Sequence, residues 1–332
     1  MTNKELYIQW AKQQEELPIF LQPWWIDAVS AGKQWDVLLN FHPSSNPQDR
    51  KVEDIEAVMP YLYCKRLWMR WIAMPQQTQI GGIWLTRNGG FDKHNKLIDL
   101  PSIAEDFASQ LKALNIHYYY QQFPIGSRMV EPMQALHFKV RERVTYQIED
   151  LHDLNALVNT FSKNKRRQLQ KAVTLNVDYS LTPEQFYNFH RLCMALQKKS
   201  ISYSREFFLV LQRKSDRKQQ SKIIALRNCD GELCAAAFVV WDKQRLYYLI
   251  PCYNPLYKES GASALLVLEA IKLAREKGVI FDFEGSMHRG IAEHYKQFGS
   301  QKVKYYSVEK YYRPLFWVVL FINKLRNLRY RI

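Results

Sequence analysis

The chain has 332 residues, of which 47% are hydrophobic and 14% aromatic, and it carries a formal charge of +15. This length accommodates two domains of ordinary size. The apolar content excludes an intrinsically disordered chain, which buries too little surface to offset the entropy of ordering. Its richest apolar run, 315–322, is less than half of the roughly twenty residues a membrane-spanning helix needs. Residues 1–17 are charged and lack the apolar core of a secretory leader, so cytoplasmic residence is expected. Cys64, Cys193, Cys229, Cys234 and Cys252 are scattered and odd in number, which predicts reduced thiols. The positive excess predicts a polyanionic partner or an anionic membrane surface.

In chain order, a helix is predicted near 23–31, then strands at 35–41 and 52–65 separated by the loop HPSSNPQDR. A Gly81-Gly82 turn, a helix at 102–115 and a strand at 117–123 complete an α/β N-terminal half, 1–144. The C-terminal half, 145–312, opens with strand 145–149, helix 154–161 and the basic helix 163–175, followed by strand 177–181. Thr182-Pro183-Glu184-Gln185 has the spacing of a capping box and starts a helix with Phe186, Phe189, His190, Cys193 and Leu196 on one face. A further helix spans 205–213.

Three strands, 221–227, 233–241 and 245–253, have separators short enough for hairpins and form an antiparallel meander. Helix 261–277 stops at Gly278, and strand 279–283, helix 291–298 and strand 302–309 follow. Residues 313–332 form a tail with an apolar front, LFWVVLFI, and Lys324, Arg326, Arg329 and Arg331 behind it. Such a tail fits either an anionic lipid surface or a terminal helix docked on the body.

This order of elements resembles the GNAT acyltransferase fold, and several segments resemble its FemAB-like branch, the relatives of peptidoglycan-bridge aminoacyltransferases. The segment FDFEGSMHRGIAEHYKQFGS, 281–300, looks like that branch's strand end followed by an aromatic-Lys-x-x-Phe-Gly helix, with one residue instead of two between Lys296 and Phe298. The run KNKRRQLQKA resembles its basic helix, and FLQPWWIDAV with Met59-Pro60-Tyr61 and Gly81-Gly82 resembles its entry half. The resemblance implies an α/β (α+β) fold of two GNAT-like halves, each a mixed, mostly antiparallel sheet flanked by helices. It implies an N-acyltransferase with acyl-CoA or aminoacyl-tRNA as cosubstrate donor and an amine of a cell-envelope precursor or small metabolite as acceptor.

Acyl transfer to an amine needs a neutral amine, a polarised carbonyl and a handle for the donor. In the resembled fold the donor's phosphates rest on N–H groups at a helix start, which points to Lys258, Ser260, Gly261, Ala262 and Ser263. Asp282 and Glu284, two apart on a strand, share a face; such carboxylates raise one another's pKa and suit a general base or an ammonium anchor. Tyr295 is the candidate for returning a proton to the leaving group, and Lys296, Arg166, Arg167 and Lys171 for gripping an anionic substrate or transfer RNA. Each has a plain reading too: a capped helix start, a salt-bridged acidic pair, a packed tyrosine, a solvated basic face. His190, His288 and His294 lack metal-ligand spacing, and no nucleophile elbow surrounds Ser286, so direct attack without a metal or a covalent intermediate is expected. The rival reading is a non-catalytic module of the same fold that binds nucleic acid or anionic lipid through its basic surface.

Overall fold

The computed structural model describes residues 1–45, 48–87, 97–285, 287–313 and 316. The chain divides into two compact units: Met1–Arg143 with the described residues from Lys304 onward, and Val144–Val303. The elements expected to close the C-terminal half therefore separate, with the chain after Val303 counted in the first unit.

The first unit opens with α1 (Asn3–Ala11). Thr2 Oγ1 accepts from the Glu5 amide and Glu5 Oε2 from the Thr2 amide, so a reciprocal cap satisfies two donors that the helix start leaves free. Next come α2 (Pro23–Val29), β1 (Trp35–Phe41), β2 (Ile55–Arg66), β3 (Met69–Ala73) and β4 (Trp84–Leu85). They are followed by α3 (Leu100–Ala113), β5 (Tyr118–Gln122), α4 (Val130–Ala135) and β6 (Lys139–Ile148), whose residues from Val144 belong to the second unit. Strands β1, β2 and β3 pair antiparallel in sequence, β4 pairs β2, and β5 lies parallel to β3 after the crossover through α3.

Alternation along the strands divides the apolar residues between two cores. Ala57, Met59 and Tyr61 of β2 meet Ile103, Phe107 and Leu111 of α3, while Val58, Leu62 and Cys64 meet Leu6, Tyr7 and Trp10 of α1.

The second unit contains α5 (Leu154–Thr160), α6 (Lys163–Lys171), β7 (Asn176–Asp178), α7 (Pro183–Leu196) and α8 (Arg205–Arg217). The meander β8 (Ser221–Arg227), β9 (Leu233–Trp241), β10 (Arg245–Tyr253) has the predicted bounds. Then follow α9 (Ala262–Lys277), β11 (Ile280–Asp282), α10 (Arg289–Lys296) and β12 (Gln301–Tyr311), whose later residues pair antiparallel with β5 in the first unit. Its sheet runs β6-β11-β10-β9-β8-β7, and only β10–β11, joined through α9, is parallel.

One face of this sheet packs Tyr146, Tyr248, Phe281 and Phe283 against Leu266, Ala270 and Ala274 of α9. On another face Phe186 of α7 and Phe208 of α8 close on Phe238 of β9. The architecture is the expected α/β one with mostly antiparallel sheets. Helices α1 and α4 and strand β3 were not expected, and β11 is one residue shorter at each end than expected: Val279 still bonds back to α9, and the Asp282 side chain takes the Glu284 amide.

Among the described residues no helix is long and apolar enough to cross a membrane, and the five cysteines are free thiols. Of the tail, Phe316 is described and buried against Met69 and Tyr118; the proposed basic amphipathic segment otherwise lies outside the described residues.

Candidate active site

The site grows from the end of the parallel pair in the second unit. Pairing between β10 and β11 covers Arg245↔Ile280, Leu246↔Phe281 and Tyr247↔Asp282, after which β11 stops while β10 continues to Tyr253. Just there β10 slips against β9: Tyr247 faces Val240 and Ile250 faces Phe238. A bulge of this kind bends the strand that holds the extra residue. Past Tyr247, β10 is therefore paired with β9 on one side, and the strand ends open where a parallel crossover also brings the start of α9.

Two carboxyls stand at that strand end. Asp282 is fully buried and accepts from Thr145 Oγ1 at 2.5 Å, Gln147 Nε2 at 2.6 Å and the Glu284 amide at 2.6 Å. Both side chains come from β6, whose alternation places Thr145 and Gln147 on one face. Burial pushes the Asp282 carboxyl up, and the Gln147 and Thr145 hydrogen bonds draw it back. Because Asp282 captures the amide two residues on, the ladder ends and the chain turns through Glu284 (φ 62°) and Gly285 (φ 78°). A left-handed conformation costs a residue with a Cβ about 1–2 kcal/mol, and such strain persists where surrounding contacts enforce it.

Glu284 keeps part of its surface accessible, yet the protein around it and the charge of Asp282 push its carboxyl well above the ordinary range. Asp282 is a buried acceptor that shapes the turn, whereas Glu284 lies in the turn itself with part of its surface accessible.

Aromatic rings wall this place. Tyr295 of α10 stacks on Phe283 with centroids 4.2 Å apart and planes at 22°, and Phe283 meets Tyr248 edge-on at 6.2 Å. The Tyr248 and Tyr253 hydroxyls are 2.8 Å apart. Burial raises the Tyr295 phenol, and the charges of Glu284 and Asp282 raise it further, so both carboxyls act on it electrostatically. Tyr248 and Tyr253 did not stand out in the sequence; their spacing of five on a strand conceals a shared location that the bulge creates.

The other predicted residues are distributed differently. Gly261, not Ser260, caps α9, and Ser260 Oγ accepts from the Ala262 amide at 3.2 Å. A Cβ on Gly261 would lie 2.0 Å from the Gln168 carbonyl oxygen of α6. The start of α9 is thus backed by a helix that presents a carbonyl oxygen, and Ala262 is buried there. Lys258 is exposed and Ser263 half-buried. Lys171 pairs loosely with Glu259 at 3.8 Å. Arg166 and Arg167 lie exposed on α6, and Lys296 is an exposed partner of Glu293 at 2.8 Å, a solvated ion pair outside the carboxyl–tyrosine group. The structure therefore gathers Asp282, Glu284 and Tyr295, and leaves Lys296 and the basic face of α6 at the surface.

One lysine of that run is turned inward. Lys165 is 2% exposed, with Nζ 3.1 Å from Gln168 Oε1, 3.2 Å from His294 Nδ1 and 4.9 Å above the Phe298 ring. The spacing Lys165, Leu169, Ala172 is the signal that would have found it, since positions four and then three apart recur on one helical face.

Residues 159–297 match the acetyltransferase (GNAT) domain family. Nothing among curated proteins matches the sequence. The fold is similar to that of FemX (13% identity, 96% of this chain and 98% of that one, TM-score 0.68). It is also similar to L-PGS from Bacillus licheniformis (13%, 98% and 97%, TM-score 0.55) and to a tandem GNAT protein from the clavulanic acid biosynthesis pathway (11%, 93% and 96%, TM-score 0.55).

Proposed function

We propose, on the premise that this chain carries a GNAT acetyltransferase domain within a FemX-like fold, that it is an N-acyltransferase working at the opening beyond Asp282. The observation that carries this reading is the Asp282–Glu284 pair at the point where β10 and β11 part. An acceptor amine enters neutral, its ammonium proton already released to water, and attacks the donor carbonyl while Glu284, whose raised affinity suits it to a base, takes the proton that the nitrogen sheds. The C–N bond forms, the bond to the leaving group breaks, and Tyr295 donates its phenolic proton to the departing atom. The proton held on Glu284 returns to the tyrosinate through the opening.

The donor is an acyl or aminoacyl ester or thioester, and two features favour the ester of transfer RNA over acyl-CoA. The α9 start, the candidate phosphate cradle, has the Gln168 carbonyl against Gly261. A phenol raised above its usual ~10 gives its proton more readily to an alkoxide than to a thiolate. Exposed Lys163, Arg166, Arg167 and Lys171 on α6 then serve as contacts for a polyanionic donor. The acceptor belongs to a cell-envelope precursor or a small metabolite, in keeping with a fold similar to the C-terminal domain of a putative lysylphosphatidylglycerol synthetase from Agrobacterium fabrum (12% identity, 92% of each chain, TM-score 0.53).

The test is a donor screen with purified protein, charged transfer RNA against acyl-CoA, with product detected by mass spectrometry. Turnover from either that is lost in Glu284→Gln supports the reading. No turnover from any donor, combined with RNA binding that falls steeply with salt, supports a non-catalytic nucleic-acid-binding module instead.

A further inference from the structure

Lys165 and His294 lie outside the proposed chemistry, yet both belong to the contact that seats α10. The α6 start is fastened to α10 at its far end: the Ser162 amide donates to the Gln297 carbonyl at 2.8 Å, and a Cβ on Gly299 would fall 2.2 Å from Thr160 Oγ1. Between these contacts the Lys165 ammonium meets His294, the immediate neighbour of Tyr295. The outer face of α6 carries Lys163, Arg166, Arg167 and Lys171 into solvent, whereas Lys165 has no carboxylate partner among the described residues. A buried cation held by neutral acceptors and a ring is costly compared with the same group in water.

We propose that Lys165 is a pH-sensitive positioning residue: its charged form loosens α10, and its neutral form lets the helix seat, placing Tyr295 on Phe283 beside Glu284. This rests on the reading of Glu284 and Tyr295 as the site. Among the described residues the groups facing the amine are His294 and Phe298 from α10 and Gln168 from α6 itself. Burial pushes the Lys165 amine down to about 8, and burial together with Lys165 pushes His294 down to about 4, so His294 stays neutral while Lys165 titrates. Because the folded amine binds its proton less tightly than an amine in water, deprotonation favours the seated helix, and seating tightens as pH rises through the folded value.

The experiment needs no substrate. Millisecond hydrogen-exchange mass spectrometry, corrected for intrinsic exchange, compares α10 amides with those of α9 in the full chain from pH 6.5 to 9.5. In wild type the protection of α10 relative to α9 is expected to rise at least tenfold. Lys165→Met, which removes the buried charge, should hold α10 protected throughout; Lys165→Arg, charged at every pH, should leave it open throughout. A flat wild-type ratio, or a rise that persists in Lys165→Met, overturns the proposal. Transfer lost in Glu284→Gln alongside a flat ratio leaves the acyltransferase reading standing. A tenfold rise with Glu284→Gln fully active retains the latch and removes that reading.

Discussion

The two units contain the same motif, a parallel pair joined through a helix, β3-α3-β5 in one and β10-α9-β11 in the other, and they treat the end of that pair in opposite ways. In the first unit the space past Tyr119 is filled by the chain itself. The Gly81 amide donates to the Gln122 carbonyl at 2.6 Å, and Gln121 Nε2 to the Pro60 carbonyl at 2.9 Å. A Cβ on Gly82 would lie 2.3 Å from the Phe123 ring. In the second unit the corresponding place is bordered by Asp282, Glu284 and three tyrosines. One architecture thus ends in neutral amides and glycines that close the gap in one unit, and in a pair of carboxyls beside tyrosines in the other.

The largest effect that could break this comparison is Glu284→Gln, expected to slow transfer by roughly 10²–10⁴-fold. Its stability should rise at pH 7, because a carboxyl with a raised folded pKa loses stability as pH climbs above its unfolded value. Steady-state rates and thermal melts together check both signs; a variant that is slower and less stable would make Glu284 a structural group. Gln121→Ala, in the sealed counterpart, should cost about 1–3 kcal/mol by leaving buried partners unsatisfied and should spare the kcat of the folded protein.

Glycine replacements come next. Gly82→Ala and Gly261→Ala each combine a left-handed backbone with a Cβ clash, against Phe123 and the Gln168 carbonyl respectively. Each is expected to cost more than Gly278→Ala, whose Cβ meets nothing within 4 Å and whose cost is about 1–2 kcal/mol from the backbone alone. Chemical denaturation ranks the three.

Acid should then separate the units. Burial pushes His190, hydrogen-bonded to Tyr203, and His294 down to about 4. The unfolded chain binds those protons first as pH falls from 6.5, so stability is lost between about 6.5 and 4 and recovered above. For well-buried His190 this is on the order of 3 kcal/mol, partly offset by Asp282 and Glu284, whose raised values act with the opposite sign. Exchange protection at pH 5 should fall in the second unit before the first. The smallest effects are Thr2→Ala and Thr182→Ala, each removing a reciprocal cap worth about 1 kcal/mol, one in each unit.

Local rules made much of this legible in advance. The Thr182 cap, the three meander strands and the Gly278 stop are short-range chemistry, and the structure repeats them. The box at Thr2 and Glu5 was equally visible in principle, but the charged context of α1 obscured its buried face. Strand β3 and helix α4 are too short for periodicity to show, and α4 contains Pro132. At the site, the spacing of Asp282 and Glu284 predicted two carboxylates on one face of a strand, but the strand ends at Asp282 and Glu284 sits in the left-handed turn beyond it. Their different burial could not be read, because it depends on Thr145 and Gln147 from a distant strand. Lys165 was hidden in a uniformly basic run, where charge masks the apolar stripe it interrupts.

The pairing of β12 with β5, Ser307↔Gln122 through Tyr311↔Tyr118, has a consequence for how the chain is born. The first unit cannot complete its sheet until the last of those residues leaves the ribosome. At synthesis rates of about 5–20 residues per second, that is a delay of roughly 10–30 s after Arg143 has emerged. Throughout that interval the β5 edge has no strand to pair with, and an unpaired edge is a template for mispairing.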